Sequence, residues 1–474
     1  MLRSIKKFFT IDKKLFSLDD GISKLSLFAL AIPLFLEAIS VHFVGMIQTM
    51  LSSNFLDGYF VSITSIVGSV VTPFATIASM VSVGMAIILS INLGRKRYDD
   101  CKKIIGTAIY ADMLICVVFY VGTSFFAEEL LVFMGYSGAE YADKLPYAIE
   151  LLKIRSLANI VTHIPILFLA VLRCYGYTRV GLYTNLVGAI VSSVLTYIMF
   201  YVIGIDKENV VVGLVVVQLI AGSINVMITI IYFVSKKIKV SFRFDFKWCK
   251  TILKLGIPGT IANLVYTFSN ILTTKICLSV GPDSYESRIF VQQLVFYVYT
   301  FGQQLANASK IMIGRLCGMG ELDCAHNMHL QNAKIVATLD GLLSLGFAFF
   351  AGLILKYGYA ASASVIAIST PIFFIDVIVE IGRGLNHVGQ SDLNATGDVM
   401  FTTIISIAVG LVTSVGLAYI FVFVFNLGLI GIWIAYASDE IVRATIYLVR
   451  WCRGGWRKSF KKELKHLEKA EQPA

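Results

Sequence analysis

Apolar residues run in blocks of about twenty along most of this chain, and polar residues gather in the short gaps between the blocks. A helix of that length crosses the ~30 Å hydrocarbon core of a bilayer. Twelve blocks are readable, at 28–51, 60–91, 104–126, 146–171, 180–204, 210–234, 252–279, 288–313, 332–355, 361–388, 399–425 and 427–451. Within them the apolar residues are continuous, without the period-2 alternation of a barrel strand, so the pattern predicts helices. The expected fold class is an all-α integral membrane protein with twelve transmembrane helices. The first long block starts near Ala29 and no small-residue cleavage site follows a short one, so no cleaved signal peptide is expected. The opening "MLRSIKKFFTIDKK" reads either as an amphipathic helix on the membrane surface or as a frayed basic tail.

The pattern also repeats. "ALAIPLFLEAISVHFVGMIQTM" near residue 30 corresponds to "LKLGIPGTIANLVYTFSNILTTK" near 253, with Ile32-Pro33 over Ile257-Pro258. "INLGRKRYDDCKK" at 91–103 corresponds to "RLCGMGELDCAHN" at 315–327, which aligns Gly94 with Gly318. "LRCYGYT" at 172–178 matches "LNATGDV" at 393–399, and "IYFVSKK" at 231–237 matches "IYLVRWC" at 446–452. Six spans is an even number, so the halves enter from the same side and form two pseudo-symmetric six-helix lobes about an axis along the membrane normal. The expected organisation is an N-terminal cytoplasmic segment 1–27, an N-lobe 28–234, a basic linker 235–251, a C-lobe 252–451 and a basic tail 452–474. Two parallel lobes with a cleft between them suit an alternating-access carrier.

Composition sharpens this picture. Charged residues are only 15% of the chain, against roughly 25% for a soluble protein. Lys and Arg concentrate in alternate loops: Arg95, Lys96, Arg97, Lys102 and Lys103, then Arg173 and Arg179, then the linker and the tail. By the positive-inside rule both termini are cytoplasmic in a multi-pass plasma (inner) membrane protein. The net charge of +10 is therefore a topology signal, and no nucleic-acid partner is expected. Six of the eight cysteines fall in or beside those inner loops, a reducing location that argues against disulfides. Cys317, Cys324, His326 and His329 cluster between spans eight and nine but match no common zinc spacing, so no metal is expected. Neither a P-loop nor an HExxH occurs, and the chain does not read as an enzyme.

The candidate chemistry lies in charges at membrane depth, each costing about 2.5–3.5 kcal/mol on insertion scales. In "PIFFIDVIVEIGRGLNHVGQ", Asp376, Glu380, Arg383 and His387 recur at helical spacing, along one face of the tenth span. That stripe either lines an aqueous cavity or is an Arg383–Glu380 brace. Pro371 before it removes a backbone hydrogen bond and favours a bend. Glu37 lies one turn past Pro33 with no Lys or Arg in helical reach, which suits a group that takes and releases a proton. Asp439, Glu440 and Arg443 pair with one another at helical spacing and read as bracing. Asp112 and Asp340 occupy matching places in spans three and nine and either hold helices together or carry ions. The eighth span interleaves Gln292, Gln293, Gln303, Gln304 and Asn307 with Phe296, Tyr297, Tyr299 and Phe301. Such a lining suits flat cations through aromatic faces, and amide-mediated helix packing explains it as well.

Several of these stretches resemble the multidrug and toxic compound extrusion (MATE) family of cation-coupled antiporters, over roughly residues 25–458. "NLGLIGIWIAYASDEIVRATIYLVRWCRGGW" is similar to that family's last span and basic exit. "IPLFLEAISVHFVGMIQT", "AVLRCYGYTRVGLYTNLVGAIVSS" and "EIGRGLNHVGQSDLNATGD" sit where the family has its first span, its 4–5 connection and its 10–11 connection. Gln48 stands where the family often has Asp, and the seventh span carries no acid. The resemblance implies export of amphipathic, often cationic, drugs or metabolites in exchange for H+ or Na+, with no cofactor beyond that ion. Glu37, Asp376 and Glu380 are the ion-coupling candidates. Gln48, Asn263, Gln303, Gln304, Asn307, Arg383 and Asn386 are the cavity candidates. The expected partners are the small substrate and membrane lipid, with the protein a monomer. The alternative is a flippase for lipid-linked precursors, which would use Arg383 and Arg155 on phosphates.

Overall fold

The computed structural model describes residues 27–55, 58–133, 145–204, 209–358 and 361–471, without the side chains of 44–66, 69, 211, 282, 358 and 466–471. The basic opening stretch and parts of the expected outer loops lie outside the described residues. So does the side chain of Gln48.

The described residues form helices and no strands. In chain order they are α1 (Leu27–Phe55), α2 (Gly58–Gly94), α3 (Tyr98–Phe125), the short α4 (Ala127–Phe133), α5 (Leu145–Cys174) and α6 (Arg179–Tyr197, continued by a π turn to Ile203). After α7 (Val210–Ser235) come α8 (Phe246–Val280), α9 (Pro282–Gly318), α10 (Leu322–Leu353, with a π turn to Gly358) and α11 (Ala363–Ala395). The chain ends with α12 (Val399–Gly410, continued by π turns), α13 (Gly428–Cys452) and α14 (Gly455–Glu471). Every expected span thus has its helix, and eight are long and apolar enough to cross a membrane on length and composition alone. Helices such as α9 run several residues past the apolar block at each end. Backbone hydrogen bonds continue into polar turns after hydropathy has dropped.

Contacts divide the chain into two compact units. One consists of Leu36–Leu89 and Tyr98–Thr260. Its core gathers Val67, Val70, Leu131, Leu151, Leu152, Phe200, Val210 and Val215. The basic linker is bound along α3 here: Ser241 N donates to Lys102 O at 3.0 Å and Asp245 N to Thr107 Oγ1 at 3.2 Å. Gly106 allows that approach, because any Cβ there would overlap the Ser241 carbonyl. α2 and α8 cross in backbone contact: a Cβ at Gly84 would strike the Ile252 carbonyl, and one at Gly256 the Met80 carbonyl.

That crossing gives a direct test. Gly256→Leu is expected to cost about 1–3 kcal/mol, because the obstacle is backbone and has no rotamer to yield. Gly259→Leu, three residues on, meets open space and is the control. Thermal unfolding in detergent micelles compares them, and equal melting points would remove the close crossing from the account.

The other unit comprises the described residues of Met1–Phe35, Ser90–Arg97 and Ile261–Ala474. Val291, Leu294, Phe373, Val379, Ile432 and Trp433 are among its core residues. Gly94 and Gly318, the glycines aligned by the repeat, touch each other directly. The stretch expected as a basic tail folds as α14. Trp456 stacks on Trp451 at 4.4 Å between ring centroids, and Arg450 Nε meets Asp398 Oδ2 at 2.9 Å.

Candidate functional site

A cavity of about 250 Å³ opens in the second unit between α8, α9, α11, α12 and α13. α11 builds one wall. Its spacing of four and three residues places Asp376 and Arg383 on the same side, as the sequence pattern predicts. Asp376 is buried, and its two oxygens meet neutral groups: Trp433 Nε1 donates to Oδ1 at 2.9 Å and Ser344 Oγ to Oδ2 at 3.5 Å. Arg383 is held from both sides, donating to Glu380 and, through Nε, to Glu440 Oε1 at 3.2 Å. Its guanidinium also lies 5.6 Å from the centre of the Tyr299 ring.

α13 supplies the facing carboxylates. Arg443 pairs with Asp439 and lies 3.3 Å from Glu440 Oε2. Asn386 Nδ2 donates to the same Glu440 oxygen at 2.5 Å, and Thr413 Oγ1 to Asp439 at 2.5 Å. Ser414, in the π-helical stretch Leu411–Leu417 that continues α12, completes this side of the lining. A π turn widens the helix locally, an arrangement frequent at functional sites. Tyr266, Phe296, Tyr299, Trp433 and Tyr436 give the cavity aromatic walls. Four carboxylates (Asp376, Glu380, Asp439, Glu440) thus face two guanidiniums (Arg383, Arg443), which leaves two carboxylates without a matching cation among the described residues.

A second cavity, of about 430 Å³, lies in the first unit and is lined by Glu37, Arg173, Asn185, Gln218 and Asn225, among others. Glu37 Oε1 accepts from Arg173 Nη2 at 2.5 Å and from Asn185 Nδ2 at 2.6 Å. Oε2 is buried, lacks a hydrogen-bond partner and presses on Gly181, which has no room for a Cβ. This corrects the expectation of an unpaired Glu37. Helical reach covers only neighbours on α1, and the partner arrives on α5 from a position that the charge pattern assigns to an inner loop.

The other sequence candidates fall in different places. Glu380 is fully buried behind Arg383 and does not line the cavity. Asn386 sits beside it as a hydrogen-bond donor to Glu440. On α9, Gln303 donates to the Tyr299 hydroxyl at 2.9 Å and Asn307 to Gln304 at 3.0 Å, so these amides bond within their own helix. Gln292, three turns before Gln303, does reach the cavity, and Asn263 is exposed. Asp439 and Glu440 pair with Arg443 as their spacing predicts, and they line the cavity as well, a role that the bracing pattern alone does not show. The signal was present: two adjacent acids share one arginine on their own helix, the same imbalance that marks Asp376 and Glu380.

Comparison with known proteins follows the same outline. A family model described as MatE matches residues 33–198 and 258–420. A protein of Bacillus subtilis (strain 168) named "Uncharacterized transporter YisQ" is 24% identical over 437 residues, 91% of this chain and 94% of its own length. The "Probable multidrug resistance protein NorM" of Thermotoga maritima is 26% identical over 224 residues, covering 45% of this chain and 46% of that protein. Among solved structures, one described as a MATE in complex with MaD3S superposes with a TM-score of 0.81 at 17% identity, over 92% of this chain and 96% of that one. A MOP-superfamily transporter from Pyrococcus furiosus gives 0.80 at 17%, over 91% and 96%. At these identities the structural likeness shows the fold.

Proposed function

Because the chain belongs to the MatE family of multi-pass membrane transporters, we propose that it is a secondary antiporter that exports amphipathic, often cationic, compounds in exchange for H+ or Na+ by alternating access. The observation that carries this reading is the charge imbalance of the α11–α13 cavity, two carboxylates in excess beside aromatic walls. Asp376 is the first coupling residue, since it lines the cavity and its direct hydrogen bonds come from neutral donors only, with Arg383 acting on it through space. With a proton or sodium ion bound, the carboxylate is neutralised. Once the ion leaves, an organic cation takes its place against Tyr266, Phe296, Trp433 and Tyr436, stabilised by the ring faces and the ionised carboxylate. Rebinding of the ion from outside displaces that cation. One-for-one exchange of a monovalent organic cation moves no net charge and is driven by the ion's concentration gradient alone, whereas each additional inward ion per cycle adds about 2.3 kcal/mol per 100 mV.

Glu37 is the second coupling residue. Its Oε2, buried without a hydrogen-bond partner, is a place for a proton. Glu380 takes part through Arg383, which it holds, and Asn386 through Glu440. Gln303, Gln304 and Asn307 shape the Tyr299 wall. The cargo class is supported by relatives named as probable multidrug resistance proteins. The protein works as a monomer in the plasma (inner) membrane, with both termini cytoplasmic and no cofactor in the transport cycle beyond the coupling ion. A lipid-linked precursor flippase needs guanidinium groups free to meet phosphates, whereas Arg383 is already engaged by two carboxylates.

Ethidium movement in proteoliposomes tests this reading. An imposed proton or sodium gradient is expected to drive efflux above the passive leak of protein-free vesicles. Gradient-independent leak alone, under both ions, would overturn the antiporter and return the question to the flippase.

A further inference from the structure

Away from both cavities, the first unit buries a second ionisable cluster. Asp112 and Cys116 project from one face of α3, one turn apart, and His163 meets them from α5. All three are buried: Asp112 and His163 are each 2% exposed and Cys116 5%. One ligand atom from each lies within 4.8 Å of the others. His163 Nδ1 and Asp112 Oδ1 face each other at 3.5 Å, yet neither makes a hydrogen bond, although both atoms are fully enclosed. Buried polar atoms are rarely left in that state. An ordinary carboxylate–imidazole brace closes to a hydrogen bond, and this pair does not.

The internal repeat makes the cluster more specific. In the other half Asp340 lies one turn beyond the position that the repeat assigns to Asp112, and one turn after it stands Ser344, with no cysteine on that stretch. The offset that aligns "LRCYGYT" with "LNATGDV" puts Gly384 in the place of His163. There the Asp340 carboxylate packs directly on Gly384 and Gly302. The second half therefore buries its aspartate against bare helix, while the first half surrounds its own with a nitrogen and a sulfur.

The geometry points to a transition-metal site, which we assign to a zinc-class divalent cation held by three protein ligands, Asp112, Cys116 and His163, with the fourth tetrahedral position left to a water. The donor set is one carboxylate oxygen, one thiolate and one imidazole nitrogen, a mixture that suits Zn2+ and does not suit Mg2+ or Ca2+. Tetrahedral zinc holds such atoms roughly 3.3–3.6 Å apart, so a contraction of about 1 Å seats the ion. Binding displaces the Cys116 thiol proton, and the two resulting negative ligands cancel the divalent charge. A neutral loaded site is what a membrane interior tolerates. The ion bridges α3 to α5 independently of transport.

The test uses the full chain, purified through a tag without histidines, in a background of Cys324→Ser and Cys452→Ser, which removes the two cysteines that are not buried. Metal analysis after zinc reconstitution and washing is expected to find about one zinc per chain. The cobalt-substituted protein is expected to show thiolate-to-cobalt charge-transfer absorption that added zinc abolishes. Cys116→Ser should remove that absorption, and His163→Gln should release the metal. Clearly substoichiometric zinc in the parent overturns the proposal, as does stoichiometric metal that survives both substitutions. If the variants aggregate, the parent spectrum decides: bound cobalt without a thiolate band overturns the site.

Discussion

Asp376→Asn is expected to abolish gradient-driven ethidium efflux in proteoliposomes while the protein still folds. The amide has the volume of the carboxylate and keeps an oxygen to accept from Trp433 Nε1, the shorter of the two bonds at Asp376. What it loses is charge. At an effective dielectric constant near 20, a cation about 5 Å from a carboxylate gains about 3 kcal/mol, so its removal weakens ethidium binding roughly a hundredfold. An amide also cannot exchange a proton at the working pH, so the imposed gradient loses the one lining carboxylate, among the described residues, that has no guanidinium bonded to it. Asp439→Asn is the informative contrast, because Asp439 is answered by Arg443 and its loss leaves that arginine paired with Glu440. A smaller effect is expected there. If Asp376→Asn transports like the native protein and Glu37→Gln does not, coupling belongs to the cavity of the first unit.

The sequence made the helices legible because membrane burial demands long apolar blocks, and lengths of twenty residues leave little ambiguity. The α11 stripe was legible too, since its charges lie on one helix at helical spacing and Pro371 marks its start. Groups brought together from different helices were not. Glu37 and Arg173 are 136 residues apart, and no local pattern joins them. Arg173 reads as a loop charge because its backbone lies at the end of α5, although its side chain reaches back to the carboxylate. The same limit hid the cavity role of Asp439 and Glu440, whose intrahelical pairing with Arg443 gave a complete local explanation. Gln303, Gln304 and Asn307 show the limit of polar spacing, which suits a lining and helix packing alike. In the structure Gln303 donates to the Tyr299 hydroxyl and Asn307 to Gln304, both along α9. α14 was read as a tail because its lysines dominate, while Trp456 and Phe460, both buried, tie it to the fold.

The largest stability effect is expected at Arg383. Arg383→Met keeps the length of the side chain but leaves Glu380 fully buried with no cation beside it among the described residues. Stranding one charge of a buried pair costs about 3–5 kcal/mol. Glu440, the other partner of Arg383, is in a different position, because it retains Arg443 at 3.3 Å and Asn386 at 2.5 Å. Rescue should therefore be selective. Arg383→Met combined with Glu380→Gln is expected to regain most of the lost stability, since a neutral amide is far cheaper to bury than a carboxylate. The combination with Glu440→Gln is expected to regain little and to loosen Arg443 as well. Thermal unfolding of the three variants in one detergent measures the difference directly. Equal rescue by both glutamines would mean that Glu380 is not the charge Arg383 exists to hold, and the bracing part of the site would have to be rebuilt around Glu440.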